Sequence, residues 1–253
     1  MARMTTRFYS TTLDLMTTVN VIIPNECSAD HPPATLYLLH GLTGDSESWL
    51  QNTSLERYVS HMNLIIIMPN GDRSFYTDMA DGNRYWSYLT KELPAKMRSW
   101  FPVNTAPERC FVGGLSMGGY GALKWGLNSP EKFAGILSMS AAVDIKAIWE
   151  RTPEHAHEFQ MIFGHPSKFD HSINDLFDRV NHVSISSGRK PEILQFCGTS
   201  DFLYADNLRF KAALDQSAIP HTYYEKPGAS HEWGYWDESI QVALKWIEKK
   251  LEN

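Results

Sequence analysis

The chain has 253 residues with a formal charge of −6, and 43% of its side chains are apolar against 21% charged. That is ordinary soluble globular usage, with enough apolar residues for a core that needs no staple or metal. An acidic balance without basic blocks excludes a nucleic-acid footprint and a polybasic membrane anchor. No apolar run reaches the roughly 18 residues of a membrane span. The length suits a single domain over residues 1–253.

In chain order, residues 1–12 carry arginines with no apolar stretch behind them, so no secretory signal is expected. Three widely spaced cysteines, Cys27, Cys110 and Cys197, read as reduced thiols, and the expected location is cytoplasmic. Residues 8–23 alternate weakly and predict two strands ending at Pro24. Residues 25–33 form a polar turn. The apolar runs 35–39, 64–68, 109–114, 133–141 and 192–197 predict strands buried on both faces, and 221–225 a further strand. Helices are expected over 48–61, 85–100 (with Pro94 inside the pattern), 117–128, 202–216 and 236–251. Residues 142–190 hold no simple alternation and predict a helical, cap-like excursion. Strands alternating with helices of this length predict an α/β architecture, a mostly parallel sheet with helices on both faces. Sites in such sheets lie at the carboxyl ends of strands.

The most informative stretch is Gly114-Leu115-Ser116-Met117-Gly118, set between a strand pattern and a helix pattern. This is the context of a nucleophile elbow. The serine must sit on a turn sharp enough to push its hydroxyl out of the fold, and the flanking glycines let strand and helix approach closely.

A serine hydroxyl needs a base, and in elbow-bearing folds the order is nucleophile, acid, histidine. Of ten histidines, only His231 lies in a loop between the last strand and the last helix. His221 begins a strand and is expected to pack or cap. His155 and His157 have no ligand cluster around them, so no metal is expected, and no cofactor either. Asp201 closes the turn after the strand 192–197 and is the preferred acid; Asp144 is the alternative, and Asp206 falls inside a helix pattern. The two oxyanion donors are expected from the backbone N–H groups of Met117, the residue after the nucleophile, and of Leu42, in His40-Gly41-Leu42-Thr43-Gly44, with Gly41 the second choice. His40 reads as structural.

These segments, with Cys197-Gly198-Thr199-Ser200-Asp201-Phe202-Leu203-Tyr204 and Ser230-His231-Glu232-Trp233, resemble the esterase D group of α/β-hydrolases. That group includes S-formylglutathione hydrolases and tributyrin-type acyl esterases. The match spans nearly the whole chain in family order and is closer to the tributyrin type. The resemblance implies an α/β-hydrolase fold and a serine esterase with Ser116, Asp201 and His231 as catalytic triad and Leu42 and Met117 as oxyanion hole. It also implies Trp49 and Tyr76 in loops that border an acyl pocket.

The expected partner is a small soluble ester of a short acyl group. S-formylglutathione, acetylated sugars and feruloyl-type esters are alternatives, as are acyl transfer and a non-catalytic binding role on the same fold. Eight tryptophans and ten methionines admit an apolar patch for homo-oligomerisation, or simply a well-filled core.

Overall fold

The computed structural model describes residues 1–28 and 30–252. Among them, eight strands form one sheet in the order β1-β2-β4-β3-β5-β6-β7-β8. The strands are β1 (Ala2–Ser10), β2 (Leu15–Ile23), β3 (Ala34–Leu39), β4 (Leu64–Pro69), β5 (Cys110–Leu115), β6 (Gly135–Met139), β7 (Glu192–Gly198) and β8 (His221–Lys226). β1 and β2 pair antiparallel, and β2 runs antiparallel to β4. From β4 through β8 every pairing is parallel. The fold is an α/β-hydrolase fold.

Alternation along the strands sends side chains to two cores, one on each face. In β4, Ile65 and Ile67 join Val19, Val21, Tyr37, Leu39 and Val112 on one side. Leu64, Ile66 and Met68 join Leu36, Leu38, Phe111 and Phe196 on the other. Apolar runs with no polar face therefore become strands covered on both sides, as a parallel sheet requires. The first face is covered by α5 (Met117–Asn128), α8 (Leu176–Ile185) and α9 (Tyr204–Asp215). The second is covered by α1 (Ser48–Asn52), α2 (Leu55–Tyr58) and α10 (Trp233–Leu251).

Three segments depart from the sequence expectation. Residues 48–61 break into α1 and α2 because Thr53 competes for the backbone: its hydroxyl donates to the Trp49 carbonyl (2.6 Å) and accepts from the Leu55 amide (3.2 Å). Residues 85–100 run as α3 (Tyr85–Ser87), a π-helical turn (Tyr88–Glu92) and α4 (Leu93–Trp100). Pro94 has no N–H for the carbonyl four residues back, and the Leu93 amide reaches the Tyr88 carbonyl instead, which widens the turn. The helix expected over 236–251 begins three residues earlier, at Trp233.

The excursion is helical: α6 (Ile145–Arg151), α7 (Ala156–Phe163) and then α8. α7 is tied down where the Ala80 and Asp81 amides donate to the Ile162 and Met161 carbonyls. Its Phe159 and Phe163 pack on Phe75, with Phe163 also against Tyr120. Among the described residues no helix is long and apolar enough to cross a membrane.

Candidate active site

Parallel strands deliver their carboxyl ends to one rim, and β3, β5, β7 and β8 each end there in a residue of interest. Ser116 follows β5 with φ 53° and ψ −119°, a conformation that costs a non-glycine residue about 1–3 kcal/mol. Its own backbone groups hold it in place. The Ser116 amide donates to the Met139 carbonyl (2.8 Å), and its carbonyl accepts from the amides of Tyr120 (3.0 Å) and Ala142 (3.2 Å). The flanking glycines are obligatory on contact grounds. A Cβ on Gly114 would stand 2.4 Å from the Gly118 backbone, and one on Gly118 would stand 2.4 Å from the Leu39 carbonyl oxygen.

His231 reaches the site from the loop after β8. Its Nε2 accepts from the Ser116 hydroxyl at 3.0 Å, and its Nδ1–H donates to the Asp201 carboxylate at 2.9 Å. A carboxylate can only accept, so Asp201 fixes the tautomer that leaves Nε2 open to a proton. Asp201 is buried and also accepts from the Leu203 amide (2.8 Å). The two loops are bolted together. A Cβ on Gly198 would stand 2.2 Å from the Ala229 carbonyl oxygen, an approach only glycine permits. The Ser200 amide donates to that same oxygen (2.9 Å), and the Gly228 amide donates to Thr199 Oγ1 (2.8 Å). The glycine in Cys197-Gly198-Thr199 is the sequence signal for this contact. Two aromatic rings contact the imidazole, the buried Trp236 at 4.8 Å and Phe202 at 4.6 Å. Trp236 is held in turn by its indole N–H on Ser140 Oγ (3.0 Å).

The other acids are occupied elsewhere. Asp144 caps α6 through the Ala147 amide (3.0 Å) and pairs with Arg209 (2.7 Å). Asp206 is buried and accepts from both Arg151 and Arg209. His221 bonds Asp215 (3.0 Å), and His155 lies 3.4 Å from Glu158. His40 is buried with both ring nitrogens engaged: Nδ1–H donates to the Gly41 carbonyl (2.7 Å), and Nε2 accepts from the Gly71 amide (2.9 Å). Burial pushes its pKa down. Cys110 and Cys197 are buried inside strands, and burial pushes both thiols up, Cys110 to about 12.

Met117 opens α5, where a helix amide has no carbonyl of its own helix to meet. The loop after β3 lies against the elbow: a Cβ on Gly41 would stand 3.5 Å from the Ser116 Cβ. Leu42 is next along that loop and borders a cleft of about 850 Å³. Met79, Tyr85, Met161 and Ile162 supply its apolar wall, and Asp72, Arg73, Asp81 and Glu158 its charged rim. Arg73 and Glu158 make a paired bridge (2.6 and 2.9 Å) between the loop and α7, and Arg73 holds the Glu158 carboxyl below the usual range.

The loop that carries Tyr76 borders the cleft through Asp72, Arg73, Ser74 and Met79, and Trp49 lies in α1. Both aromatic side chains are buried, Trp49 donating its indole N–H to the Leu39 carbonyl (3.0 Å) and Tyr76 its hydroxyl to the His40 carbonyl (3.0 Å). Each ring end is pulled inward by a backbone oxygen, and neither borders the cleft. Sequence reasoning missed Lys124, which is fully buried in α5. Its ammonium donates to Thr77 Oγ1 (2.8 Å) and the Tyr76 carbonyl (3.2 Å) and sits 4.7 Å from the Trp86 ring centroid. A lone lysine in an otherwise apolar helix was the available signal.

A wound sheet with a strained serine after β5, hydrogen-bonded to a histidine from the last loop, defines a serine hydrolase of the α/β-hydrolase class. The chain belongs to the esterase family, whose model, described as "Putative esterase", matches residues 10–247. It is 31% identical to an acetyl esterase of Caldicellulosiruptor saccharolyticus over 268 residues, covering 98% of this chain and 99% of that one. Two Staphylococcus aureus structures are similar across 97% of this chain and 98% of theirs. One is the fluorophosphonate-binding serine hydrolase FphF in a substrate-bound form, 30% identical with a TM-score of 0.86. The other is the S-formylglutathione hydrolase FrmB as apoenzyme, 31% identical with a TM-score of 0.85.

Proposed function

We propose that this protein hydrolyses small carboxylic esters of short acyl groups through an acyl-enzyme on Ser116. The observation that carries the reading is the unbroken hydrogen-bonded chain from Ser116 Oγ through His231 to the buried Asp201. In this reading Ser116 Oγ attacks the ester carbonyl as its proton passes to His231 Nε2, and Asp201 stabilises the imidazolium. The negative oxygen of the tetrahedral intermediate takes hydrogen bonds from the Met117 and Leu42 amides, where one donor is typically worth about 10²–10³ in rate. The C–O bond to the alcohol breaks, and His231 returns the proton to the leaving oxygen. Water then repeats the sequence on the acyl-serine, and Ser116 recovers its proton.

Similarity to an acetyl esterase and to an S-formylglutathione hydrolase, each 31% identical, supports short acyl groups. The cleft beside Leu42 carries three carboxylates, Asp72, Asp81 and Glu158, against one guanidinium, Arg73, which pairs with Glu158, so a substrate group that bears carboxylates of its own is disfavoured there.

The test is an acyl-length series with one chromogenic alcohol, run on wild type and Ser116→Ala, together with a fluorophosphonate label located by mass spectrometry. The expected result is turnover that falls with chain length, its loss by at least about 10³-fold in Ser116→Ala, and a single adduct on Ser116. Undiminished turnover in that variant, or labelling at another residue, overturns the reading.

A further inference from the structure

Phe202 is 70% exposed, although it stands between the buried Asp201 and the buried Leu203. Its place is fixed by backbone bonds around it: the Leu203 amide donates to Asp201 Oδ1 (2.8 Å), and the Tyr204 amide to the Asp201 carbonyl (2.9 Å). The ring lies 4.6 Å from the imidazole of His231 at an interplanar angle of 49°. The contact of the imidazole with Trp236 is different in kind. Trp236 is buried and anchored to Ser140, which suffices to hold the imidazole in place. A largely exposed phenylalanine leaves apolar area in water and adds little to the core.

We propose that the Phe202 ring is the wall on which the alcohol part of the ester rests, making it a residue that selects apolar and aromatic leaving groups. The inference rests on the reading of Ser116 and His231 given above. When the C–O bond of the tetrahedral intermediate breaks, the leaving oxygen takes its proton from His231 Nε2. That oxygen must come within hydrogen-bond reach of Nε2, so the first carbons of the alcohol lie beside the imidazole and next to Phe202. The negative oxygen points away, toward the Met117 and Leu42 amides. The acyl group occupies the remaining position on the tetrahedral carbon, away from both the leaving oxygen and His231. An aromatic alcohol gains an edge or offset stack on Phe202, and a small hydrated one gains almost nothing.

Benzyl acetate and ethyl acetate separate this from other roles, since they share the acyl group and their alcohols are of similar basicity. Phe202→Ala is expected to lower kcat/KM for benzyl acetate about tenfold and for ethyl acetate by less than about twofold. Phe202→Leu is expected to recover part of the loss. An equal loss on both esters assigns the ring to shielding His231 and overturns the proposal; no loss on either does the same. Ser116→Ala is run beside them. Benzyl acetate turnover surviving in that variant overturns the parent reading and this one together. A dead Ser116→Ala with an unchanged benzyl-to-ethyl ratio in Phe202→Ala removes only the role of Phe202.

Discussion

Gly118 lies against the end of β3 so closely that a Cβ on it would stand 2.4 Å from the Leu39 carbonyl oxygen and 2.6 Å from that of His40. Both obstacles are backbone, and Leu39 is paired in the middle of the sheet, opposite Gly114. The strand cannot yield without disturbing β5, and the helix cannot yield without moving Ser116. This one contact joins the stability of the sheet to the position of the nucleophile.

Gly118→Ala is therefore expected to be among the most damaging single-methyl additions available to the chain. Overpacking of this kind costs about 3 kcal/mol, which for a chain of this size lowers Tm by roughly 10 °C. The α5 N-terminus must shift to relieve the contact, so activity per folded molecule should fall as well, by about 10²-fold. Calorimetry and active-site titration on the same preparation measure the two effects separately. A variant with wild-type Tm and turnover would show that the elbow is looser than this contact implies.

Asp201 and Asp206 provide a matched contrast five residues apart. Asp201 faces His231, whereas Asp206 faces Arg151 and Arg209 at the root of α9. Asp201→Asn keeps the shape but lets the imidazole take the wrong tautomer, and the expected loss in kcat is about 10³–10⁴-fold. Asp206→Asn leaves two guanidinium groups short of a buried partner. Both arginines are partly exposed, which screens the cost, and about 2 kcal/mol of stability should go. Its kcat should stay within about threefold. Steady-state kinetics with urea unfolding of both variants checks this; a reversed pattern would make Asp206 the acid.

The convergence of Ser116, His231 and Asp201 on one rim was legible because its signals are local or topological. The elbow glycines mark a turn, and strand ends in a parallel sheet share an edge. The acid and the histidine follow in the only order that the two last strand ends allow. Trp49 and Tyr76 were not legible in the same way. Whether an aromatic in a loop faces a cleft or the core depends on which backbone oxygen meets its polar end. For both residues that oxygen lies at the end of β3 or just beyond it, at Leu39 and His40. No pattern within residues 48–61 or 72–83 encodes that partner. The break between α1 and α2 was hidden for a related reason, because a single threonine hydroxyl outweighed a weak helical preference. Lys124 stands out in the sequence as a lone lysine in an apolar helix, but nothing local encodes the Tyr76 carbonyl and Thr77 hydroxyl that draw its amine inward.

Lys124 is expected to contribute a stability that rises with pH. Burial lowers its pKa to about 7, with the Asp78 carboxylate opposing the shift only in part. Its surroundings are the Tyr76 carbonyl, the Thr77 hydroxyl and the rings of Trp86 and Tyr120. Asp78 itself is engaged by the Ser87 amide and hydroxyl. Below about pH 7 the lysine is charged both in the fold and in the unfolded chain, so the full cost of burying an ammonium is present. Between about 7 and the ordinary lysine value of 10.5, the unfolded chain binds the proton that the fold has released. The unfolded state then holds more protons, and stability increases with pH through that window. Lys124→Met removes the titration and keeps a flexible apolar stem among the same rings. Its Tm is expected to exceed that of wild type at pH 6, with the gap closing steadily toward pH 9.5. Calorimetry of both proteins at half-unit steps measures it. Two curves that run parallel across the window would mean that Lys124 carries its charge in the fold throughout, held by the two aromatic faces and the Tyr76 carbonyl more strongly than burial opposes it.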